Sequence, residues 1–379
     1  MQLLHARSRF LAMIPVLLGL LIAPLVVAGS QRVSAQEASP TALSCEPTIP
    51  SVDLLPAATP TTGESATPAG ELTEVKMGYV QALIFAPVFV AKEKGYFAEA
   101  NLDVTVTSGP GSVDNMKFVA AGRLDYAPVD IGALVVTRAN ENVPVKTISV
   151  VHQNTMSAIL SLQETGLRRP QDLVGKTIAD SPASTVRVLF PLYARKAGID
   201  PSRVTWRDAA PPALPALLAS KQVDGIGQFV VGRPLIATAA GKPVSALRYS
   251  DYLPGLLGIG IIASDDKIRS NPGEVRRFTR AINRGLRYAL DNPVEAGRIL
   301  KKYQPLANED VAVRELKIMK FFVETKGARK YGLGYIDIQK MKSTTSVVVN
   351  GFRLQGKITY RDIYAPGFVK TATYVPPKR

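Results

Sequence analysis

From Glu74 onward two hydrophobic patterns take turns along the chain. Short apolar or alternating runs read as strands: "EVKMGYV", "LDVTVTSG", "LDYAPV" and "PVKTISVVH". Between them lie stretches with apolar positions every three or four residues, which read as helices: "APVFVAKEKG", "SVDNMKFVAAG" and "ALVVTRANE". Gly95 and Gly122 stand where a helix ends and a left-handed residue is needed, a conformation that costs glycine least. The same rhythm repeats from "KTIAD" through "STVRVLFPLYARKAG", "RVTWRD", "PALPALLASK", "VDGIGQF" and "RPLIATAAG" to "VSALRYS". Strand–helix alternation predicts a largely parallel sheet covered by helices. Two such series predict two α/β lobes.

The halves echo each other faintly. "FVAAGRLDYA" and "ALLASKQVDGI" both run from an apolar helix through small exit residues to an Asp, Asp125 or Asp224, that opens a strand. After the apolar run "GLLGIGIIAS", which reads as a strand, the pattern predicts helix throughout from Asn271 to about Phe352, then an irregular tail at "ITYRDIYAPGFVK". The clearest helix opens with "NPGEVRRFTRAINRGLRYAL", with Asn271 as cap and Pro272 in the first turn. Its apolar face carries Val275, Phe278, Ile282, Leu286 and Ala289. Arg276, Arg280, Arg284 and Arg287 lie opposite, either as solvated surface or as a docking stripe for an acidic partner or anionic membrane.

Upstream the pattern changes. His5, Arg7 and Arg9 lead into "FLAMIPVLLGLLIAPLVVA", and "VSA" offers a cleavage point at Ala35, so residues 1–35 read as an export signal; a retained anchor is the alternative. Residues 36–73, rich in Pro, Ser, Thr and Ala, show neither period and read as a disordered tether. The only cysteine, Cys45, lies there, excluding an internal disulfide. "ALS" before it makes a poor lipidation signal, so a free thiol is expected.

The length of 379 residues gives room for two lobes. A net charge of +15 would suit a nucleic-acid binder, but the Lys and Arg are dispersed with no aromatic platform among them. The charge points instead to anionic head groups, cell wall, a membrane partner or an anionic solute, and no nucleic-acid partner is expected.

Several catalytic chemistries fall away. Gly175-Lys176-Thr177 ends like a phosphate-binding loop, but Pro170 occupies the position of that motif's first glycine and has no N–H to offer. "GIGIIA" at 258–263 matches a dinucleotide pattern but reads as the strand itself, not as the strand-to-helix turn that the mechanism needs. With His5 in the signal, only His152 remains, so His/Cys zinc clusters are excluded. No catalytic residue, metal or cofactor is expected. What the sequence offers is a set of residues just after strands, where open α/β sheets bind ligands. In the first half these are Tyr79, Gln81, Phe85, Gly111, Ser112, Asp130 and Asn154; in the second, Ser181, Ser184, Thr185, Gln228, Phe229 and Tyr252, with Tyr249 nearby. Each taken singly also reads as a helix cap or core-edge aromatic.

In this order, "APVFVAKEKGYFAEANLDVTV", "FVAAGRLDYA", "PQDLVGKTIAD", "ARKAGIDPSRVTW", "LLASKQVDG" and "NPGEVRRFTRAINRGLRYALDNPVEA" resemble the solute-binding proteins of ABC importers for sulfonates, nitrate and thiamine pyrimidine precursors. The resemblance covers about 74 to 365. It implies a type II periplasmic binding protein fold, two α/β lobes joined by two crossing strands with a ligand cleft between. The crossings would lie near 155–162 and 253–262, with 74–155 and 256–365 as lobe 1 and 156–255 as lobe 2. It also implies an exported, periplasmic or surface-associated monomer that hands a small solute to ABC permease subunits. The aromatic residues favour a flat heterocycle such as a thiamine pyrimidine precursor, while the basic charge favours a sulfonate or nitrate. The same family includes thiamine pyrimidine synthases, an enzymatic alternative that would need His152 and a lysine for pyridoxal phosphate.

Overall fold

A computed structural model describes residues 71–80, 83–109, 111–355 and 358–372. The expected signal, most of the tether, Cys45 and Gln81 lie outside them. The first half comprises β1 (Thr73–Val80), α1 (Ala86–Glu93), α2 (Tyr96–Glu99), β2 (Leu102–Gly109), α3 (Ser112–Ala120), β3 (Tyr126–Asp130), α4 (Ile131–Glu141) and β4 (Val145–Val150). Then follow β5 (Ser157–Leu162), β6 (Thr177–Asp180), α5 (Thr185–Lys196), β7 (Thr205–Asp208), α6 (Leu214–Ala219), β8 (Gly225–Phe229), α7 (Arg233–Ala240) and β9 (Val244–Arg248). The chain finishes with β10 (Ile259–Ser264), α8 (Asp265–Ser270), α9 (Pro272–Asp291), α10 (Pro293–Tyr303), α11 (Glu309–Val323), α12 (Lys326–Tyr331), β11 (Ile336–Asp337), α13 (Ile338–Phe352), α14 (Tyr360–Ile363) and β12 (Thr371–Ala372).

Two five-stranded sheets result, ordered β2-β1-β3-β10-β4 and β7-β6-β8-β5-β9. They are mixed rather than largely parallel. In each, the strand in fourth place runs antiparallel to its neighbours: β10 against β3 and β4, and β5 against β8 and β9. Each of these is the first strand after the chain crosses from the other sheet. A chain leaving one sheet at its carboxyl ends enters the next from that side, and so runs against its neighbours. Alternation of strands and helices carries no trace of this reversal. Central strands β3 and β5 are buried along their whole length, while the edge strand β2 alternates over its first residues.

The internal echo reappears as chemistry. Asp125 accepts a hydrogen bond at Oδ2 from the Lys76 backbone N–H (2.8 Å), and Asp224 accepts one from the Thr177 N–H (2.9 Å). The reciprocal bonds, Asp125 N–H to Lys76 O (2.7 Å) and Asp224 N–H to Thr177 O (2.9 Å), close the same ring in both halves. A lysine pairs with each carboxylate, Lys267 with Asp125 and Lys176 with Asp224.

The crossing segments are hydrogen-bonded to each other. The His152 N–H donates to Ile259 O (3.0 Å), Gly258 N–H to His152 O (3.0 Å) and Thr155 N–H to Leu256 O (2.8 Å).

Helix α9 buries its predicted apolar face on the first sheet, where Phe278 stacks on Tyr126 with ring centroids 3.8 Å apart. Asn271 stands at its start without making a side-chain cap, its amide donating instead to Ser270 Oγ. Within the arginine stripe, Arg284 pairs with Glu99 and lies over the Tyr96 ring, and Arg287 pairs with Glu324 and Asp291. Half of the stripe is thus engaged internally, leaving Arg276 and Arg280 exposed. The stretch expected to be helical throughout to about Phe352 is instead a run of separate helices, and it is interrupted by β11 near Gly332–Asp337. Gly332 and Gly334 take positive φ there, and β11 pairs with β12, which directly follows the tail expected to be irregular. No helix among the described residues is long and apolar enough to cross a membrane.

Candidate functional site

The carboxyl ends of the two sheets face one another, and a polar cluster joins them. The Asp130 backbone N–H, at the end of β3, donates to Ser112 Oγ (3.2 Å) on the first residue of α3. Thr185 Oγ1, on the first residue of α5, donates to the same oxygen (3.1 Å). One serine hydroxyl therefore bridges both halves. Beside it, the Gly111 backbone lies so close to Ala183 that a Cβ on Gly111 would stand 2.7 Å from the Ala183 carbonyl oxygen. The Val113 N–H points at that oxygen from 3.5 Å.

Each half places a buried carboxylate behind this contact. Asp130 Oδ1 caps α4 by accepting from the Ala133 N–H (3.1 Å), while Oδ2 is buried without a partner among the described residues. Asp180, at the end of β6, accepts from the Ser181 N–H (2.8 Å) and the Ser184 hydroxyl (2.5 Å); Ser184 in turn caps α5 at the Val186 N–H (3.1 Å). Desolvation pushes both carboxyls up to about 7, against the opposing pull of their hydrogen bonds. The strand-end and helix-start positions that attract anions are therefore already supplied with acidic groups.

An apolar cluster lies alongside. Tyr79 meets Phe85 edge-on at 6.3 Å and Phe89 at 5.4 Å, and its phenol accepts a long bond from Gln304 Nε2 (3.4 Å). Desolvation raises that phenol's pKa. Val231 and the half-buried Phe229 of the second half join the same cluster. Gln228 is folded back, its Oε1 accepting from the Phe229 N–H (2.8 Å).

Of the sequence-predicted residues, Gly111, Ser112, Asp130, Ser181, Ser184 and Thr185 come together in the polar cluster. Tyr79, Phe85 and Phe229 come together in the apolar one. Asn154 sits on the first crossing, its Oδ1 accepting from Lys340 Nζ (2.9 Å), which also donates to Gln153 O (2.8 Å). Tyr252, 38% exposed, stands apart with its edge against Tyr193 at 5.6 Å. Tyr249 is a core residue: 0% exposed, stacked on Tyr193 at 4.2 Å, it donates its hydroxyl to Val186 O (2.9 Å).

Two contributors escaped the sequence reading because helices remote in sequence bring them. Lys340 comes from α13, with burial lowering its pKa. Glu315, on α11, reaches the Leu235 N–H at the start of α7, and desolvation pushes it up to about 8. Nothing local in sequence signals either contact. His152 is 1% exposed, with neither ring nitrogen bonded to a described residue. It borders a small, largely apolar cavity of about 30 Å³ with Phe85, Ile259 and Met319, and burial holds its pKa down to about 3, so it is neutral.

The model of the family described as "NMT1/THI5 like" matches residues 83–296, more than half of the chain. The chain belongs to that family. Among members of the wider group, this NMT1/THI5-like protein is 27% identical to the riboflavin-binding protein RibY of Chloroflexus aurantiacus, over 84% of this chain and 92% of RibY. It is 24% identical to the formylaminopyrimidine-binding protein of Halalkalibacterium halodurans, over 63% of this chain and 72% of that one. Its fold matches the alkanesulfonate-binding protein SsuA of Xanthomonas axonopodis pv. citri, solved with MOPS, at a TM-score of 0.60 and 18% identity. The match spans 80% of this chain and all of SsuA. The periplasmic binding protein fold is thus shared, with one mixed sheet and its helices on each side of the cleft.

Proposed function

We propose that this protein is the extracytoplasmic solute-binding component of an ABC importer, and that it captures a flat nitrogen heterocycle and presents it to the permease without turning it over. The observation that carries the ligand class is the pair of buried carboxylates, Asp130 and Asp180, one behind each face of the cleft. A sulfonate or nitrate would seek the helix starts, where these acids already sit. A ring bearing N–H donors or an exocyclic amine finds acceptors there, and Tyr79, Phe85 and Phe229 supply an apolar side for its face. The names of the riboflavin- and formylaminopyrimidine-binding relatives agree with this choice. The lobes are taken as 74–155 with 256–365, and 156–255, carried on an exported and tethered chain.

A thermal-shift panel tests the reading. Riboflavin or an aminopyrimidine should raise Tm by mass action, about 2.7 kcal/mol of stabilisation at a hundredfold excess over Kd. Stabilisation by alkanesulfonates or nitrate alone refutes the ligand class. A pyrimidine product formed on incubation with pyridoxal phosphate would replace binding with synthesis, a reading for which His152 is poorly placed, since it is sealed from solvent.

A further inference from the structure

The ion pairs of this protein stop abruptly. Up to Glu324 most acidic side chains on the surface have a basic partner; past Lys320 no described Lys or Arg has an acidic one. Between Thr325 and Ala372 the sequence carries nine Lys and Arg against two Asp. Both aspartates are spent on helix starts: Asp337 accepts from the Gln339 and Lys340 N–H groups, and Asp362 from the Thr359 N–H and hydroxyl. This segment also lies beyond residue 296, where the family match ends.

Three of these charges, Lys342, Arg353 and Arg361, are organised on one face. Along α13, Gln339, Lys342, Ser346, Asn350 and the cap residue Arg353 are all exposed, and their spacing puts them on one stripe of the helix. The two charges at its ends are about 16 Å apart, at 1.5 Å rise per residue. At one end Lys342 and the exposed Arg361 of α14 both lie over the Tyr360 ring, at 5.1 and 5.2 Å. At the other, the exposed Arg195 of α5 donates to Gly351 O (2.9 Å) and lies over Phe352 at 5.7 Å. Uncharged Ser346 and Asn350 fill the middle.

We propose that this face, carrying Lys342, Arg353, Arg361 and Arg195, docks the protein on an anionic phospholipid surface. Charge complementarity selects the occupant. The cations are separated and held on a convex helix, which suits an array of independent head groups better than a groove-bound peptide. The half-buried Tyr360 and Phe352 lie among the charges, at the level where aromatic rings favour a membrane interface. Such docking would hold the cleft near the bilayer independently of any N-terminal anchor.

The test is co-sedimentation of the full chain with vesicles of phosphatidylglycerol and phosphatidylcholine mixed, against phosphatidylcholine alone. Each basic residue at the surface contributes about fivefold to partitioning, so wild type should favour the anionic vesicles by several hundredfold at low salt and lose that preference as salt rises. Lys342→Glu with Arg353→Glu and Arg361→Glu should abolish the preference. Arg276→Glu with Arg280→Glu and Arg298→Glu, an equal change of net charge on exposed positions elsewhere, should largely retain it. Ligand-induced Tm shifts should be unaltered in both triple variants, which separates this surface from the cleft. Equal losses in the two triple variants would mean that total charge rather than this face acts, and would overturn the proposal. So would a wild type indifferent to phosphatidylglycerol, leaving an acidic protein as the occupant.

Discussion

Replacing Gly111 tests whether the contact with Ala183 belongs to the ligand-competent arrangement. The Gly111 φ of 168° is extended backbone that any residue adopts, so a side chain adds no intrinsic strain. The cost arises across the cleft. An added Cβ would stand 2.7 Å from Ala183 O, 3.0 Å from its carbonyl carbon and 3.3 Å from its Cβ, and the first two atoms are backbone that cannot rotate away. Relieving the overlap moves the halves apart by roughly half an ångström, which stretches the 3.1 Å Thr185–Ser112 bond towards the limit of hydrogen bonding. Overpacking of this kind costs about 1–3 kcal/mol, and here it falls on the arrangement in which the two halves touch. Ligand affinity should therefore drop about 5- to 150-fold in Gly111→Ala, and more in Gly111→Val. Titration calorimetry with the heterocycle from the thermal-shift panel measures the drop, and the ligand-free Tm controls for stability. An unchanged Kd in Gly111→Val would refute the reasoning, because then the contact is not made when ligand is bound.

Three further outcomes follow from the buried polar groups. Asp130 has its folded pKa raised from 3.8 to about 7, so its contribution is fully present below the unfolded value and is lost as pH rises through 7, up to about 4 kcal/mol. Asp130→Asn should remove part of the fall in Tm between pH 4.5 and 8; a wild-type Tm that rises over this range argues against the assignment. Tyr249→Phe should cost about 1 kcal/mol in urea unfolding by deleting the bond to Val186 O, with ligand affinity unchanged, whereas a large affinity loss would return Tyr249 to the site. Lys340→Met leaves Gln153 O and Asn154 Oδ1 without their donor and should destabilise the protein by about 1–3 kcal/mol, seen as a lower urea midpoint.

The elements were legible because each buried strand and amphipathic helix carries its own period: β2 begins and ends where "LDVTVTSG" does. Strand direction was not, since the reversal of β5 and β10 depends on which side the chain enters a sheet. The residues that gather in the polar cluster were legible as residues following strands, a rule of open α/β sheets. Aromatics were less so. Tyr249 and Tyr252 are three residues apart and both follow β9, yet only packing on Tyr193 decides that one is sealed and the other open. Glu315 and Lys340 had no local signal, because their partners lie on segments far away along the chain.

The stitched crossings restrict how such a molecule can gape. Because the His152 and Thr155 backbones are tied to Gly258, Ile259 and Leu256, neither strap can twist alone. Any parting of the halves is therefore expected to be a swing about one common axle rather than a slide. A single substitution in either strap should consequently alter the whole swing, and with it the rate at which the halves part.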